Sequence, residues 1–215
     1  MTIMKTIIFS FVLVLFCLQS NAQSEKFSKA ILQNVALLDS AKTSDDFVKV
    51  SANFERIAEA EKNQWLPYYY AALANIWRGF NDTKSDYDEI GDKADALLAK
   101  AEAIDAKNTE IAIAKSMAAT MHMMVDPMSR WQKYGMMQRE ALETAKVLDA
   151  KNPRIYFLEG QTTFNMPEQF GGGKDAAKPL FEKSVELFKS FTPVNNLYPN
   201  WGQKIAEQML AKCKS

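Results

Sequence analysis

Two stretches of the sequence share one pattern at an offset of 44 positions: Ala101-Glu102-Ala103-Ile104-Asp105-Ala106-Lys107-Asn108 and Ala145-Lys146-Val147-Leu148-Asp149-Ala150-Lys151-Asn152. The same offset relates three small residues, Ala72, Ser116 and Gly160, that precede, separate and follow these stretches. Small side chains at equivalent positions of successive repeats let neighbouring backbones approach closely. A repeat of this length predicts stacked structural units, each of which buries its apolar face against the next.

Between a few clusters of glycine and proline, apolar residues recur with a period near 3.6, which predicts helices. Capping signals support several helix starts: Thr43 with Asp46, Ser85 with Asp88, and Asn152 before Pro153. The predicted helices are residues 25–41, 44–62, 66–80, 86–105, 109–125, 128–150, 153–165, 175–189 and 200–212. No segment alternates with period two, so the predicted class is all-α.

The spacing of small and large apolar residues resembles that of tetratricopeptide repeats (TPRs), which pair two helices per repeat. Gly160 matches the small position of the first helix, and Ala177, Phe181 and Ser184 match the series of the second helix. The resemblance implies an α-solenoid of about four antiparallel helix pairs, with residues 200–212 as a C-terminal capping helix. The residues expected to pack between helices are Ala72, Ser116, Gly160, Ala101, Ala145, Ala177, Phe181 and Ser184. A different α-solenoid, with another superhelix, is the alternative.

The first 22 residues have the features of a secretory signal peptide. Lys5 precedes an apolar run over residues 7–18, and Ser20-Asn21-Ala22 offers small side chains to signal peptidase. The run is too short to span a bilayer. We therefore expect residues 1–22 to be a signal peptide and residues 23–215 to form one helical repeat domain, exported to the periplasm or the extracellular space. No later stretch is apolar enough to predict membrane insertion.

The composition excludes several classes of function. Without Lys5 the chain has 25 basic and 26 acidic residues, so nucleic acid is not an expected partner. His122 is the only histidine, which excludes histidine-based catalytic triads and multi-histidine metal sites. Cys17 lies within the predicted signal peptide, so Cys213 has no partner for an internal disulfide. We expect no enzyme activity, no cofactor and no metal.

Two local motifs invite a ligand but match it poorly. Gly171-Gly172-Gly173-Lys174 lacks the spacing, the following Ser or Thr and the preceding strand of a phosphate-binding loop. A methionine stripe and His122 suggest a soft ion such as Cu(I), but the stripe has the spacing of one helix face and His122 points away from it. Methionines in such a stripe more often pack in a core. The stripe consists of Met117, Met121, Met124 and Met128.

The TPR resemblance also implies a concave groove lined by the first helix of each pair. Its expected lining is Tyr69, Leu73, Trp77, Ile113, Met117, Met121, Phe157, Gln161 and Asn165. Such a groove could hold a helix or an extended peptide, unless residues 25–41 or the terminal helix cover it.

Three hypotheses about function follow. The leading one is an extracytoplasmic adaptor that binds an unidentified protein or peptide in the groove. The alternative is a small-molecule-binding accessory protein of a solute transport system, with a cavity lined by Trp77, Met121 and Phe164. An enzyme is the third hypothesis, and it would require a cleft that gathers polar groups such as Tyr69, Lys115 and Glu159.

Overall fold

The computed structural model describes residues 25–214, which form helices joined by short turns and one longer irregular segment. The helices are α1 (25–40), α2 (Ser44–Ala60), α3 (Trp65–Asn81), α4 (Tyr87–Ile104), α5 (Thr109–Val125), α6 (Pro127–Leu148), α7 (Pro153–Asn165), α8 (Lys174–Phe188) and α9 (Gln203–Lys214). A single turn of 3₁₀ helix, Glu168–Phe170, lies between α7 and α8. The described residues contain no strand, and the all-α class is confirmed.

Local capping explains where the helices begin. Thr43 Oγ1 accepts a hydrogen bond from the Asp46 amide, and the Asp46 carboxylate accepts one from the Thr43 amide, so the predicted capping box is present. Asn152 caps α7 just before Pro153, also as predicted. The prediction of Ser85 as the cap of α4 is wrong by one residue, because Asp86 accepts the amide hydrogen bonds there.

Most helices pack against the next helix in the chain, and together they enclose one continuous apolar core. Asn53 on α2 donates a hydrogen bond of 2.8 Å to Asn34 on α1, which joins the first pair. The terminal helix α9 packs against α8. Buried positions include all the residues expected to pack between helices: Ala72, Ser116, Gly160, Ala101, Ala145, Ala177, Phe181 and Ser184. Their burial fits the helical packing, and the TPR arrangement itself stays a prediction.

An irregular stretch between α8 and α9, residues 189–202, crosses over the beginnings of α3 and α7; we call it the crossing segment. Arg154 of α7 donates hydrogen bonds to the carbonyls of Pro199 (2.6 Å) and Trp201 (3.0 Å). From α3, the Tyr70 hydroxyl donates to the carbonyl of Leu197 (2.8 Å). These bonds fix the segment because they satisfy backbone groups that would otherwise be buried without partners.

None of the described helices has the length and apolar character needed to cross a bilayer. The predicted signal peptide, residues 1–22, lies outside the described residues.

Candidate functional site

Most of the predicted groove residues lie inside the protein and do not face solvent. Tyr69, Leu73, Ile113 and Met121 are completely buried, and Met117 and Phe157 nearly so. Trp77 and Gln161 are half-buried, and Asn165 is exposed. The crossing segment supplies the cover, because the Trp201 indole donates a hydrogen bond of 2.9 Å to the Tyr69 hydroxyl and its ring meets Trp77 edge-on.

The buried end of this groove is held by one ion pair. Arg154 is fully buried, and its guanidinium lies 2.9 Å from Oε1 of Glu110. Asn152 donates a second hydrogen bond to the same oxygen, and Glu110 Oε2 has no hydrogen-bond partner. Burial raises the pKa of Glu110, while the positive charge of Arg154 opposes that change.

The polar residues suggested for an enzyme cleft do not meet. Lys115 pairs with Glu102 at 2.9 Å, Glu159 pairs with Lys146 at 2.6 Å, and Tyr69 contacts Trp201.

The methionine stripe is split by depth, since Met117 and Met121 are buried, Met124 is half-buried and Met128 is exposed. Among the described residues, no group of three or more His, Cys, Asp or Glu side chains is arranged to hold a metal ion.

A cavity of about 230 Å³ lies between the crossing segment and the turns that precede α5 and α7. Its lining is mixed, with polar residues such as Lys107 and Asp149 and apolar residues such as Phe191 and Val194. It includes none of the three residues expected around a ligand cavity, Trp77, Met121 and Phe164. Typical small-molecule pockets are larger, roughly 300–1,000 Å³. This cavity therefore does not suit a large apolar ligand.

A more open feature results from the unequal lengths of α6 and α7. α6 has 22 residues and α7 has 13. The two helices meet where Lys146 pairs with Glu159 and where the Tyr156 hydroxyl donates to the carbonyl of Ala150. Counted from these contacts along antiparallel helices, α7 ends level with about residue 140 of α6. Roughly 20 Å of α6, residues 127–139, therefore extends beyond α7.

The extended part of α6 carries the same side-chain stripe that is buried further along the helix. The stripe runs through Met128, Trp131, Gly135, Gln138, Leu142 and Ala145, with spacings of three and four. Its last three members are buried, whereas Met128 is 86% exposed and Trp131 is 60% exposed. A core-type stripe without a covering helix is an exposed apolar patch, a feature typical of binding surfaces.

The loop after α7 begins at the level where the uncovered part of α6 lies, and it displays Phe170, which is 70% exposed. The Gly173 amide donates to the carbonyl of Thr163, and the Gly172 amide donates to that of Pro167, so the loop folds back on the end of α7. Gly171 and Gly173 have φ of 83° and 92°, a conformation that favours glycine. The glycine cluster thus shapes the loop that presents Phe170.

We call this opening the α6–α7 notch. The exposed or half-buried residues that the helix register assigns to it are Met128, Trp131 and Gly135 of α6, Asn165, Met166 and Phe170 at the end of α7, and Thr120 and Met124 of α5. Asn165 is the one residue that the notch shares with the predicted groove. The predictions from the sequence did not include Trp131 and Phe170. A signal for Trp131 was present, because the stripe continues without a break along a predicted helix that is much longer than the helix after it.

The edge of α6 away from the notch is anchored through the only histidine. The Tyr134 ring stacks on the His122 ring, with centroids 4.8 Å apart and an interplanar angle of 15°. Arg130 donates to Asp88 Oδ1 at 2.6 Å and to the His122 carbonyl at 3.2 Å. Arg130 and His122 hold the pKa of Asp88 at about 2.

The chain is similar to one solved structure in particular, the HusA haemophore from Porphyromonas gingivalis. The two are 37% identical, the alignment covers 91% of this chain and 94% of that chain, and the TM-score is 0.77. No protein-family model and no curated protein matches the chain. Because identity and coverage are both high, the chain belongs to the same family as the HusA haemophore.

Proposed function

We propose that this protein binds haem as cargo, outside the cytoplasm, and holds it in the α6–α7 notch. The observation that carries the proposal is the 37% identity to a haemophore over nine-tenths of the chain. It supports the small-molecule alternative better than the adaptor hypothesis. Export, which residues 1–22 predict, fits capture of haem before uptake.

The notch suits haem because its exposed side chains are flat or flexible and apolar. Haem is a planar apolar macrocycle, and an indole can stack on such a plane while thioethers adapt to its edge. Trp131 and Met128 are exposed on α6, and Phe170 is exposed on the loop after α7. Removing these apolar surfaces from water together with the macrocycle would favour binding.

Two lysines that closely follow Phe170 in the sequence complement the carboxylates of haem. Lys174 and Lys178 follow Phe170 by four and eight residues and occupy the first turns of α8. The ion pairs of the described residues include neither lysine. Both side chains can therefore turn toward the propionate groups of a macrocycle that stacks against Phe170.

Histidine does not supply an iron ligand in this proposal. His122 is the only histidine, it is buried, and both ring nitrogens lie 3.1 Å from carboxylate oxygens. Contact with the macrocycle, instead of a bond from imidazole to iron, would hold the cargo. In this proposal the thioethers of Met128 and Met166 also contact the macrocycle and do not bind the iron, so an iron-free porphyrin should bind about as well as haem.

Two finer expectations from the sequence stay part of this proposal. The helix pairs would form a TPR-like solenoid, and the protein would act by binding without catalysing a reaction.

The test is a titration of the exported form, residues 23–215, with haemin and with iron-free protoporphyrin, followed by porphyrin absorbance and tryptophan fluorescence. Saturable binding of both ligands at one site per chain is the expected result. Absence of saturable binding would refute the proposal, and binding of haemin alone would refute recognition through the macrocycle.

A further inference from the structure

His122 lies in a narrow space between α4 and α6. A Cβ atom at Gly91 of α4 would stand 2.5 Å from His122 Nε2, so α4 passes directly against one side of the ring. The stacked Tyr134 ring of α6 lies against the other side. Only 5% of His122 is exposed, so the position of its ring is coupled to both helices.

Acidic side chains of α4 surround both ring nitrogens. Nδ1 lies 3.1 Å from Asp88 Oδ1, and Nε2 lies 3.1 Å from Asp95 Oδ2 and 4.0 Å from Asp92 Oδ1. An ionised carboxylate only accepts hydrogen bonds, and a neutral imidazole has one donor nitrogen. Both short contacts are therefore hydrogen bonds only when His122 is the doubly protonated cation.

The charged groups that α6 adds to this arrangement are Arg130 and, behind Tyr134, Lys133. Arg130 shares Asp88 with His122, and Lys133 Nζ lies 4.6 Å from the centre of the Tyr134 ring. Arg130 and Tyr134 contact Asp88 and His122. Trp131 lies within the same turn of α6 but belongs to the stripe of Met128 and Gly135, about a quarter of a turn away around the helix. The α6 residues that contact His122 are therefore within one helical turn of Trp131.

We infer that His122 is a positioning residue for the notch: its protonated ring ties α6 to α4, and loss of its proton loosens the wall that carries Trp131. Without the proton, one ring nitrogen presents a lone pair to a carboxylate, and Tyr134 loses a charged stacking partner. Arg130 then remains the main link from this part of α6 to α4. This inference rests on the proposed function, and it makes haem binding weaker when His122 is neutral.

The experiment uses NMR of untagged residues 23–215, in which the single histidine gives one set of imidazole signals. His122 and the Trp131 indole N–H are followed together against pH without ligand, in the wild type and in His122→Gln. The Trp131 signal should shift with the midpoint of the His122 titration in the wild type and lose that transition in the variant. A Trp131 signal that ignores His122, or that titrates unchanged in the variant, would overturn the inference.

The second readout is the pH profile of haemin affinity. The affinity of the wild type for haemin should fall roughly tenfold as the pH rises through the His122 midpoint. The affinity of His122→Gln should not change over the same pH range. Equal profiles would overturn the inference. Asp95→Asn serves as a second variant in case His122→Gln does not fold, and in it the Trp131 signal and haemin affinity should still change together with the His122 signals. Absence of haemin binding would refute the proposed function alone, since the ligand-free titration still tests the link between His122 and Trp131.

Discussion

Gly160 of α7 lies against the ring of Phe181 of α8 so closely that a Cβ atom at position 160 would stand 2.7 Å from Phe181 Cε1. Phe181 is completely buried and also contacts Phe157 and Phe164, so its ring has little room to move. The absence of a side chain at position 160 is thus a condition for the packing of this helix pair.

We expect Gly160→Ala to lower the free energy of unfolding by about 1–3 kcal/mol, because the added methyl group overpacks the contact. Gly135→Ala is the matched control, since it also lies within a helix but its Cβ would meet only Met123 Sδ, at 4.0 Å. That variant should gain up to about 1 kcal/mol from helix propensity. Urea denaturation of both variants checks the prediction, and equal effects would contradict it.

Trp131→Ala should weaken haemin binding roughly tenfold or more, because the variant loses the largest apolar surface of the notch wall. The free energy of unfolding should change by less than about 0.5 kcal/mol, since the indole is mostly exposed. Val147→Ala, at an exposed position on another face of the same helix, is the control for binding. Affinity is measured by porphyrin absorbance, because the variant removes a tryptophan. Equal affinities for both variants would show that Trp131 is not part of the site.

The sequence predicts the helices well because periodicity and capping are local signals. α5 and α7 begin and end at the predicted residues. Gly160 and Phe181 lie on the buried faces of α7 and α8, also as predicted. The cover over the predicted groove could not be predicted from such local signals. The crossing segment has no periodicity, and the contact between Trp201 and Tyr69 joins residues that are 132 positions apart in the sequence. The notch needs the relative register of α6 and α7, which depends on contacts such as Lys146–Glu159 that no local pattern specifies.

Arg154→Met should destabilise the protein by about 3–5 kcal/mol, because it leaves the Glu110 carboxylate buried without its partner. The crossing segment should also become sensitive to proteases, since two of its carbonyls lose their donor. The double variant Glu110→Gln/Arg154→Met should recover part of the loss. A double variant as unstable as the single one would contradict this account of the ion pair.

The loss in Arg154→Met should also depend on pH. Burial raises the pKa of Glu110 above its ordinary value of 4.5, and removing Arg154 raises it further. An acid with a raised pKa in the folded state binds its proton more tightly there than in the unfolded chain, so it favours folding at low pH and loses that contribution as pH rises. Denaturation at pH 5 and pH 8 should show the larger deficit at pH 8, and a deficit independent of pH would exclude Glu110 as its cause.

The double charge reversal Lys174→Glu/Lys178→Glu should weaken haemin binding roughly tenfold or more, because two cations near the propionates become anions. Lys204→Glu, on the first turn of α9, is the control. A porphyrin diester, which lacks the two carboxylates, should bind the wild type and the double variant alike. Equal weakening for haemin and the diester would mean that the lysines act through the fold and not through the carboxylates.

The most direct test maps haemin onto the protein. Because iron in haemin is paramagnetic, it broadens the amide NMR signals of nearby residues in a ¹⁵N-labelled chain. Titration of residues 23–215 should first remove the amide signals of residues 128–137 on α6 and of the non-proline residues among 165–174 in the loop after α7. Loss of signals centred on the crossing segment and Trp77, or no selective loss at all, would contradict binding in the α6–α7 notch.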